Sequence, residues 1–163
     1  MSTADFPQMW DLLPVLEPQT AEEAADVAAA ELAAIGWTDR VRAMAGAEIR
    51  VGIEDRVVTG TVGPVFGDAV VILATDGQWL LPTATISWVR GPTRPARGPT
   101  GRQRASGASA AREWVGREVT AALRDGQILT EELDCVGADH IVLRGSAGGW
   151  IVPWSALRWL RCQ

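Results

Sequence analysis

The chain has one neighbouring pair of an acid and an imidazole, Asp139-His140, with Ser146 nearby in the sequence. A serine–histidine–aspartate relay requires the three side chains to meet on one side of the fold. Consecutive residues of a strand point to opposite faces, so the side chains of Asp139 and His140 are not expected to meet. The sequence therefore predicts a surface histidine at the start of a strand rather than a catalytic base.

Metal and phosphate chemistry have no better support in the sequence. His140 is the one histidine, and the two cysteines, Cys135 and Cys162, lack CxxC spacing and are too few for a disulfide framework. No glycine-rich phosphate loop of the GxGxxG or Walker type occurs. We therefore expect no enzyme, and no catalytic residue, cofactor, metal site or small-molecule substrate.

Tryptophan is the most unusual part of the composition, because eight tryptophans accompany two phenylalanines and no tyrosine. Tryptophan is large and carries a polar N–H group, so it is placed where it packs or makes contacts. Trp154 and Trp114 have no tryptophan counterpart in the repeat described below, and Trp10 lies in an apolar N-terminal stretch. These three are our candidate contacts for a protein partner, and Trp154 could also stack on a base.

The basic residues, all of them arginine, are unevenly placed. The chain has a net charge of −5, yet residues 90–112 hold six arginines and no acidic residue. Such a stretch can contact several phosphates of a nucleic acid in a salt-dependent way, and the other interpretation is a solvated tether without that role. The candidate nucleic-acid contacts are Arg90, Arg94, Arg97, Arg102, Arg104 and Arg112.

An internal repeat organises most of the chain. Residues 46–55 align with 116–125 at an offset of 70, and after an inserted Gly126 the offset becomes 71 up to the end. Twelve identities fall in about 45 positions, and a W-x-x-P-x5-W pattern recurs in register at Trp79 and Trp150. The sequence therefore predicts two copies of one module, a first segment of residues 46–90 and a second segment of residues 116–161.

Each segment is predicted to form five short strands. Ile49, Val51 and Ile53 alternate with polar or small residues, which is the period of a strand with one buried face. Asp125-Gly126 is typical of a tight hairpin turn. The fourth strands end at Pro82 and Pro153, where a single 3₁₀ turn is expected before a fifth strand resumes. Five short strands in about 45 residues describe a small, strongly bent barrel.

The N-terminal 45 residues differ from the repeat. Thr20-Ala-Glu-Glu23 is a capping box, and it predicts a helix over residues 21–35 that ends at Gly36, with a second short helix following. Residues 6–18 are apolar and broken by prolines. This strap and the helix either cover a face of the first barrel or hold a partner protein.

Residues 91–109 contain no aliphatic residue larger than alanine and are rich in proline, glycine and serine. Such a segment cannot bury enough apolar area to offset the entropy of ordering, so we predict a flexible linker, with a short helical lead-in over residues 110–115. No apolar run reaches the length of a membrane span, and the first ten residues do not form a secretion signal. The sequence thus predicts a cytoplasmic protein without membrane contact, and its bias towards arginine and alanine is typical of a GC-rich bacterial genome.

The second segment, from Val119 through Asp125-Gly126 to Leu133 and then Asp139 to Leu143, resembles the first motif of Sm-like (LSm) proteins. The resemblance covers both segments and implies small five-stranded barrels that associate through their fourth and fifth strands and bind RNA. The family's RNA-binding asparagine position is occupied here by Ala69 and His140, and Leu81-Pro82 and Val152-Pro153 stand where its arginine-glycine pair would be.

The predicted fold is mainly β with an N-terminal helical segment and two tandem Sm-like barrels. Its domains are a strap and helix (1–45), a first barrel (46–90), an Arg/Pro/Gly-rich flexible linker (91–112) and a second barrel (113–163). The predicted function is that of a non-enzymatic adaptor or scaffold that binds a protein partner or itself. The alternative is an RNA- or DNA-associated regulator that uses the arginine-rich linker.

Overall fold

The computed structural model describes residues 20–54, 56–97, 105–146 and 148–163. Two compact units divide the chain between Ala34 and Ile35, so the first helix belongs to one unit and the other described elements to the second. The N-terminal apolar strap with Trp10, and the linker arginines Arg102 and Arg104, lie outside the described residues.

The first helix, α1, spans Ala21–Ala34, close to the predicted range. Its capping box is formed as predicted, because Thr20 N donates to Glu23 Oε2 at 2.9 Å and Glu23 N donates to Thr20 Oγ1 at 3.2 Å. None of its residues is buried. Gly36 does not act as a left-handed helix stop, since its φ of −65° and ψ of 157° are those of extended backbone and it precedes the next helix as an N-cap.

The second unit is mainly β, as predicted. Two short helices, α2 (Trp37–Ala43) and α3 (Gly107–Arg112), precede the two sets of strands. The first set is β1 (Glu48–Ile53), β2 (Arg56–Val65), β3 (Ala69–Ala74), β4 (Gly77–Pro82) and β5 (Ile86–Arg90). The second set is β6 (Glu118–Leu123), β7 (Ile128–Val136), β8 (His140–Gly145), β9 (Gly148–Pro153) and β10 (Leu157–Cys162).

The described strands form one antiparallel sheet that does not close, and the two tandem barrels that we expected are not shown. Among the described residues its ten strands follow the order β5-β1-β2-β3-β4-β10-β6-β7-β8-β9. In each set the fifth strand returns to pair with the first, and the remaining strands follow in sequence. The two sets merge because β4 of the first pairs with β10 of the second. An unpaired strand edge pairs with any complementary strand within reach, and here that strand belongs to the same chain.

The prolines act as the sequence predicts. Pro82 ends the ladder of β4 and is followed by a 3₁₀ turn over Thr83–Thr85, and Pro153 ends β9 before a 3₁₀ turn over Trp154–Ala156. Proline has no N–H group to continue the ladder, so the chain leaves the strand there and begins the fifth strand after the turn.

Helix α3 lies inside the segment that we predicted as linker. It begins at Gly107, three residues before the predicted lead-in, and its N-terminus carries a reciprocal cap between Ser106 and Ser109. Gly107 packs so closely on β3 that a Cβ atom there would lie 2.6 Å from Ala69 Cβ. Gly107 N also donates to Asp68 Oδ1 at 2.8 Å. The predicted linker is therefore docked on the sheet at its C-terminal end.

Two hydrophobic clusters form the core, and each takes residues from both sets of strands. The cluster around β1 to β4 includes Ala122 and Trp159 of the second set. The cluster around β6 to β10 includes Ala69, Val71 and Leu80 of the first set. The two sets of strands therefore share their hydrophobic core around the contact of β4 with β10.

Candidate functional site

The contact between β4 and β10, called the internal interface below, shows how the edges of these strands bind. Leu160 pairs with Leu80, Arg161 with Trp79, and Cys162 with Gln78 in an antiparallel register. Leu80 and Leu160 are fully buried. This interface thus combines a short ladder of backbone hydrogen bonds with an apolar pair that is shielded from water.

Aromatic and cationic side chains surround this ladder. The rings of Trp79 and Trp159 lie 4.8 Å apart between centroids, at an angle of 50°. The Arg56 guanidinium lies 5.7 Å from the Trp79 centroid and 5.0 Å from that of Trp159. The Arg161 guanidinium lies 5.4 Å from the Trp79 centroid. A cation over the face of an indole ring is attracted to the ring electrostatically, so the two arginines stabilise the tryptophan pair.

Two ion pairs flank the interface. Asp76 Oδ2 accepts from Arg161 Nη1 at 2.9 Å and Asp76 Oδ1 accepts from Trp79 Nε1 at 2.9 Å. Although burial raises the pKa of Asp76, the hydrogen bonds donated by Trp79 and Arg161 outweigh it and hold the pKa below its usual value. At the other end, Glu54 Oε2 lies 2.6 Å from Arg158 Nε.

Gly77 is required by the close approach of the two strands. Its φ is +126°, a conformation that residues with a side chain rarely adopt. A Cβ atom at this position would lie 2.3 Å from the carbonyl oxygen of Cys162 on β10. The turn into β4 therefore tolerates glycine alone while β10 is paired to it.

Among the described strands, β5 at one end of the sheet and β9 at the other have a neighbour on one side only, and we call these the free edges. The sequence repeat aligns these strands with β10 and β4, the two strands of the internal interface. Matched positions differ sharply in exposure. The exposed fractions are 3% for Trp79 and 44% for Trp150, 0% for Leu80 and 73% for Ile151, and 4% for Trp159 and 44% for Trp88.

Trp88 on β5 is held in place although it is partly exposed. A Cβ atom on Gly52 of β1 would lie 2.2 Å from Trp88 Nε1, so the indole rests directly on the backbone of β1. Beside it runs an apolar groove of about 360 Å³ between α2 and β5, whose lining includes Trp37, Met44 and Ile86. The β5 edge thus presents a fixed aromatic surface.

The tryptophans that we selected from the sequence lie elsewhere. Trp114 is 2% exposed, packs in the core, and donates its indole N–H to Gln78 Oε1 at 3.3 Å. A side chain with so little exposure offers no surface to a partner, so Trp114 is a core residue and not a contact for a partner protein. Trp154 is half-buried in the 3₁₀ turn after β9 and lines a cleft together with Leu80 and Ala108 of the same chain.

The described arginines of the 90–112 stretch are all on the surface. Arg90, Arg94, Arg97 and Arg112 are exposed. Arg90 pairs in register with Arg50 of β1, and Arg94 donates to the carbonyl oxygen of Ala45 at 3.4 Å. Two of these arginines are therefore fixed near the β5 edge.

The expectation for Asp139-His140 was wrong in its geometry. The two side chains do meet, with His140 Nδ1 and Asp139 Oδ1 2.7 Å apart. The reason is that Asp139 precedes β8 and does not follow the alternation of a strand. The hydrogen bond with His140 holds the pKa of Asp139 below its usual value.

The interface residues that sequence reasoning missed are Arg56, Asp76 and Ile151. The sequence placed Ile151 in a strand but did not show whether another strand covers it, and only the contrast with its aligned residue Leu80 reveals its exposure.

The described residues hold no cluster of three or more potential metal ligands. Within the same part of the chain, no helix combines the length and the apolar composition needed to cross a bilayer. No protein-family model and no curated protein matches this sequence.

Proposed function

We propose that this protein is a non-enzymatic scaffold that binds other protein chains by strand addition at the β9 and β5 edges. The observation that carries the proposal is the contrast between aligned positions. Leu80 and Trp79 are buried where β10 covers β4, whereas Ile151 and Trp150 are exposed on β9, which no described strand covers. The free edges therefore present surface of the kind that the internal interface buries.

The composition of β9 supports a role in binding. A free strand edge is a template for another strand, and soluble proteins usually protect such edges with charged residues, prolines or bulges. Strand β9 has the sequence GGWIVP, without a charged residue and with proline at its last position alone. Ile151, in the middle of β9, is the most exposed of the large hydrophobic residues that the structure describes. Strand addition would satisfy the free backbone groups and bury this side chain.

The repeat and the resemblance to Sm-like proteins support the same proposal. We interpret each set of five strands as an opened Sm-like module, because the fifth strand of each set pairs with its first. In that interpretation the fourth and fifth strands are the binding edges of the module, and one strand of each kind has a free edge among the described residues.

The proposal can be tested by photocross-linking in the host cell. A photoreactive amino acid placed at Ile151 is expected to form covalent adducts with another polypeptide chain. The matched control is Ile128, which is 59% exposed but lies on β7, an inner strand of the sheet, where it pairs with Ala122 of β6. Equal yields from both positions, or no adduct at Ile151, would contradict the proposal.

The second candidate function is nucleic-acid binding through the surface arginines. It is favoured by the exposure of Arg90, Arg94, Arg97 and Arg112 around the linker. Backbone phosphate contacts are strongly salt-dependent, so an electrophoretic shift should appear at low salt and disappear at about 200 mM. Replacing these four residues with glutamine should abolish the shift, whereas replacing Arg144, which pairs with Glu132 on the sheet, should not.

A further inference from the structure

We infer that the occupant of the β9 edge is strand β5 of a second copy of this chain. This inference rests on the proposed function, since it names the partner of the same edges. Within the described residues, the chain leaves one counterpart of each strand of the internal interface without a strand on its outer side, β9 in place of β4 and β5 in place of β10. A second copy is therefore a partner that presents a matching edge.

The register of this contact follows from the internal interface. The two copies of the repeat are offset by 71 residues here, so each residue of β4 corresponds to the one numbered 71 higher in β9, and each residue of β10 to the one numbered 71 lower in β5. The pair Leu80↔Leu160 then becomes Ile151↔Val89. The same operation converts Trp79↔Arg161 into Trp150↔Arg90. The copy-to-copy contact would thus cover Ile151, place Trp88 near Trp150, and set Arg90 beside Trp150 as Arg161 lies beside Trp79.

The backbone of the free edge already has the shape that the contact needs. Gly148, which aligns with Gly77, has a φ of +138°, close to the +126° of Gly77. A Cβ atom on Gly77 would meet the carbonyl oxygen of Cys162, whereas one on Gly148 would meet nothing within 4 Å. The turn into β9 therefore has the open approach that the internal interface uses, and no described strand of the chain lies against it.

The contact between copies should be weaker than the internal interface. The ion pair of Glu54 with Arg158 has no counterpart, because Arg124 and Ser87 occupy the aligned positions. Arg56, which lies over both tryptophans, is replaced by Gln127. The apolar pair and the ladder remain, so association is reversible. Because the two edges differ, the interface is heterologous and generates a ring or a filament of whole chains.

Disulfide trapping tests the register. Directly opposite residues of an antiparallel pair have Cβ atoms about 4.5–5.5 Å apart, a separation that small backbone movements bring within reach of a disulfide. In a background with the exposed Cys135 replaced by serine, Val89→Cys combined with Ile151→Cys should give a ladder of covalent oligomers under mild oxidation. A mixture of the two single variants should give dimers alone. The control, Val89→Cys with Ile128→Cys, should give no ladder.

A strengthening substitution avoids the ambiguity of loss of folding. Gln127→Arg restores the cation over the tryptophan pair and should tighten self-association by about two- to thirty-fold in sedimentation velocity across a dilution series. Ile151→Lys should weaken association, and Ile128→Lys should not. Circular dichroism of each variant checks that the fold is retained.

Four outcomes would overturn the inference. The first is a chain that stays monomeric at the highest attainable concentration, and the second is a Gln127→Arg variant with unchanged association. The third is disulfide formation by the Ile151→Cys single variant alone, which would show β9 pairing with β9. Cross-links from Ile151 to a different protein, without self-association, would overturn this inference while leaving the proposed function intact.

Discussion

The contrast between Leu80 and Ile151 predicts a large difference in stability between two matched substitutions. Leu80 is fully buried at the internal interface, so Leu80→Ala removes buried methyl groups and leaves a cavity, which costs about 2–5 kcal/mol. Ile151 is 73% exposed, and a surface substitution of this kind changes stability by about 0.5 kcal/mol or less. Against a typical free energy of unfolding of about 5–15 kcal/mol, the difference is easily measured.

The assay is equilibrium unfolding in urea, followed by tryptophan fluorescence at a protein concentration low enough to keep copies apart. The two variants should have similar m-values and clearly different midpoints. Equal losses of free energy for Leu80→Ala and Ile151→Ala in dilute solution would refute the assignment of buried and free edges. At high protein concentration Ile151→Ala should show a further loss relative to the parent, because the parent is stabilised by association.

Three further predictions concern the internal interface. Gly77→Ala should lose more free energy of unfolding in urea than Gly148→Ala, because both strain the backbone by about 1–3 kcal/mol but Gly77 alone meets the Cys162 carbonyl. The pKa of Asp76 is lowered, so this carboxylate stabilises the fold above the unfolded-state pKa of about 4, and the stabilisation is lost as the pH falls through the folded-state pKa. Asp76→Asn should therefore flatten the acid part of a plot of urea midpoint against pH. An unchanged plot would contradict this prediction. Thr85→Val should lower the free energy of unfolding by about 1–3 kcal/mol in thermal denaturation, because the Thr85 hydroxyl is buried and lies 2.8 Å from the carbonyl oxygen of Pro82 and 2.9 Å from that of Arg158.

The strands were predictable because their signals are local. Ile49, Val51 and Ile53 alternate in sequence and are all buried in β1. Pro82 and Pro153 end their strands for a reason contained in proline itself, which lacks an N–H group. Burial on one face and loss of a donor act over a few residues, so a single sequence reports them.

Helix α3 was only partly predictable because its burial depends on small residues. Gly107, Ala108 and Ala111 are buried, yet none of them contributes to an apolar period that a sequence scan would detect. Close packing of Gly107 on Ala69 requires the absence of a side chain, and glycine in a segment rich in proline and serine is typical of a linker instead. The composition therefore favoured a tether over the whole segment.

The sequence could not show which copy of the fourth and fifth strands is covered and which is exposed, because aligned residues have opposite environments. Trp79 and Trp150 occur in the same motif and predict the same strand, yet one is buried under β10 and the other faces solvent. A hydrophobic pattern shows which face of a strand is apolar, and it does not show which strand covers its edge. That information is non-local, since the strand that covers β4 lies near the other end of the sequence.

The pairing of β4 with β10 also explains why the outer strands of the described sheet are of two different kinds. Two modules that each present a fourth-strand edge and a fifth-strand edge can satisfy one pair of edges within the chain, by joining β4 to β10. The remaining pair, β9 and β5, lies at opposite ends of the order of strands. Strands at opposite ends of an open sheet pair only if the sheet closes on itself or if another chain supplies the missing edge. Within the described residues no strand covers Ile151, so we expect a strand of another chain to supply the missing edge.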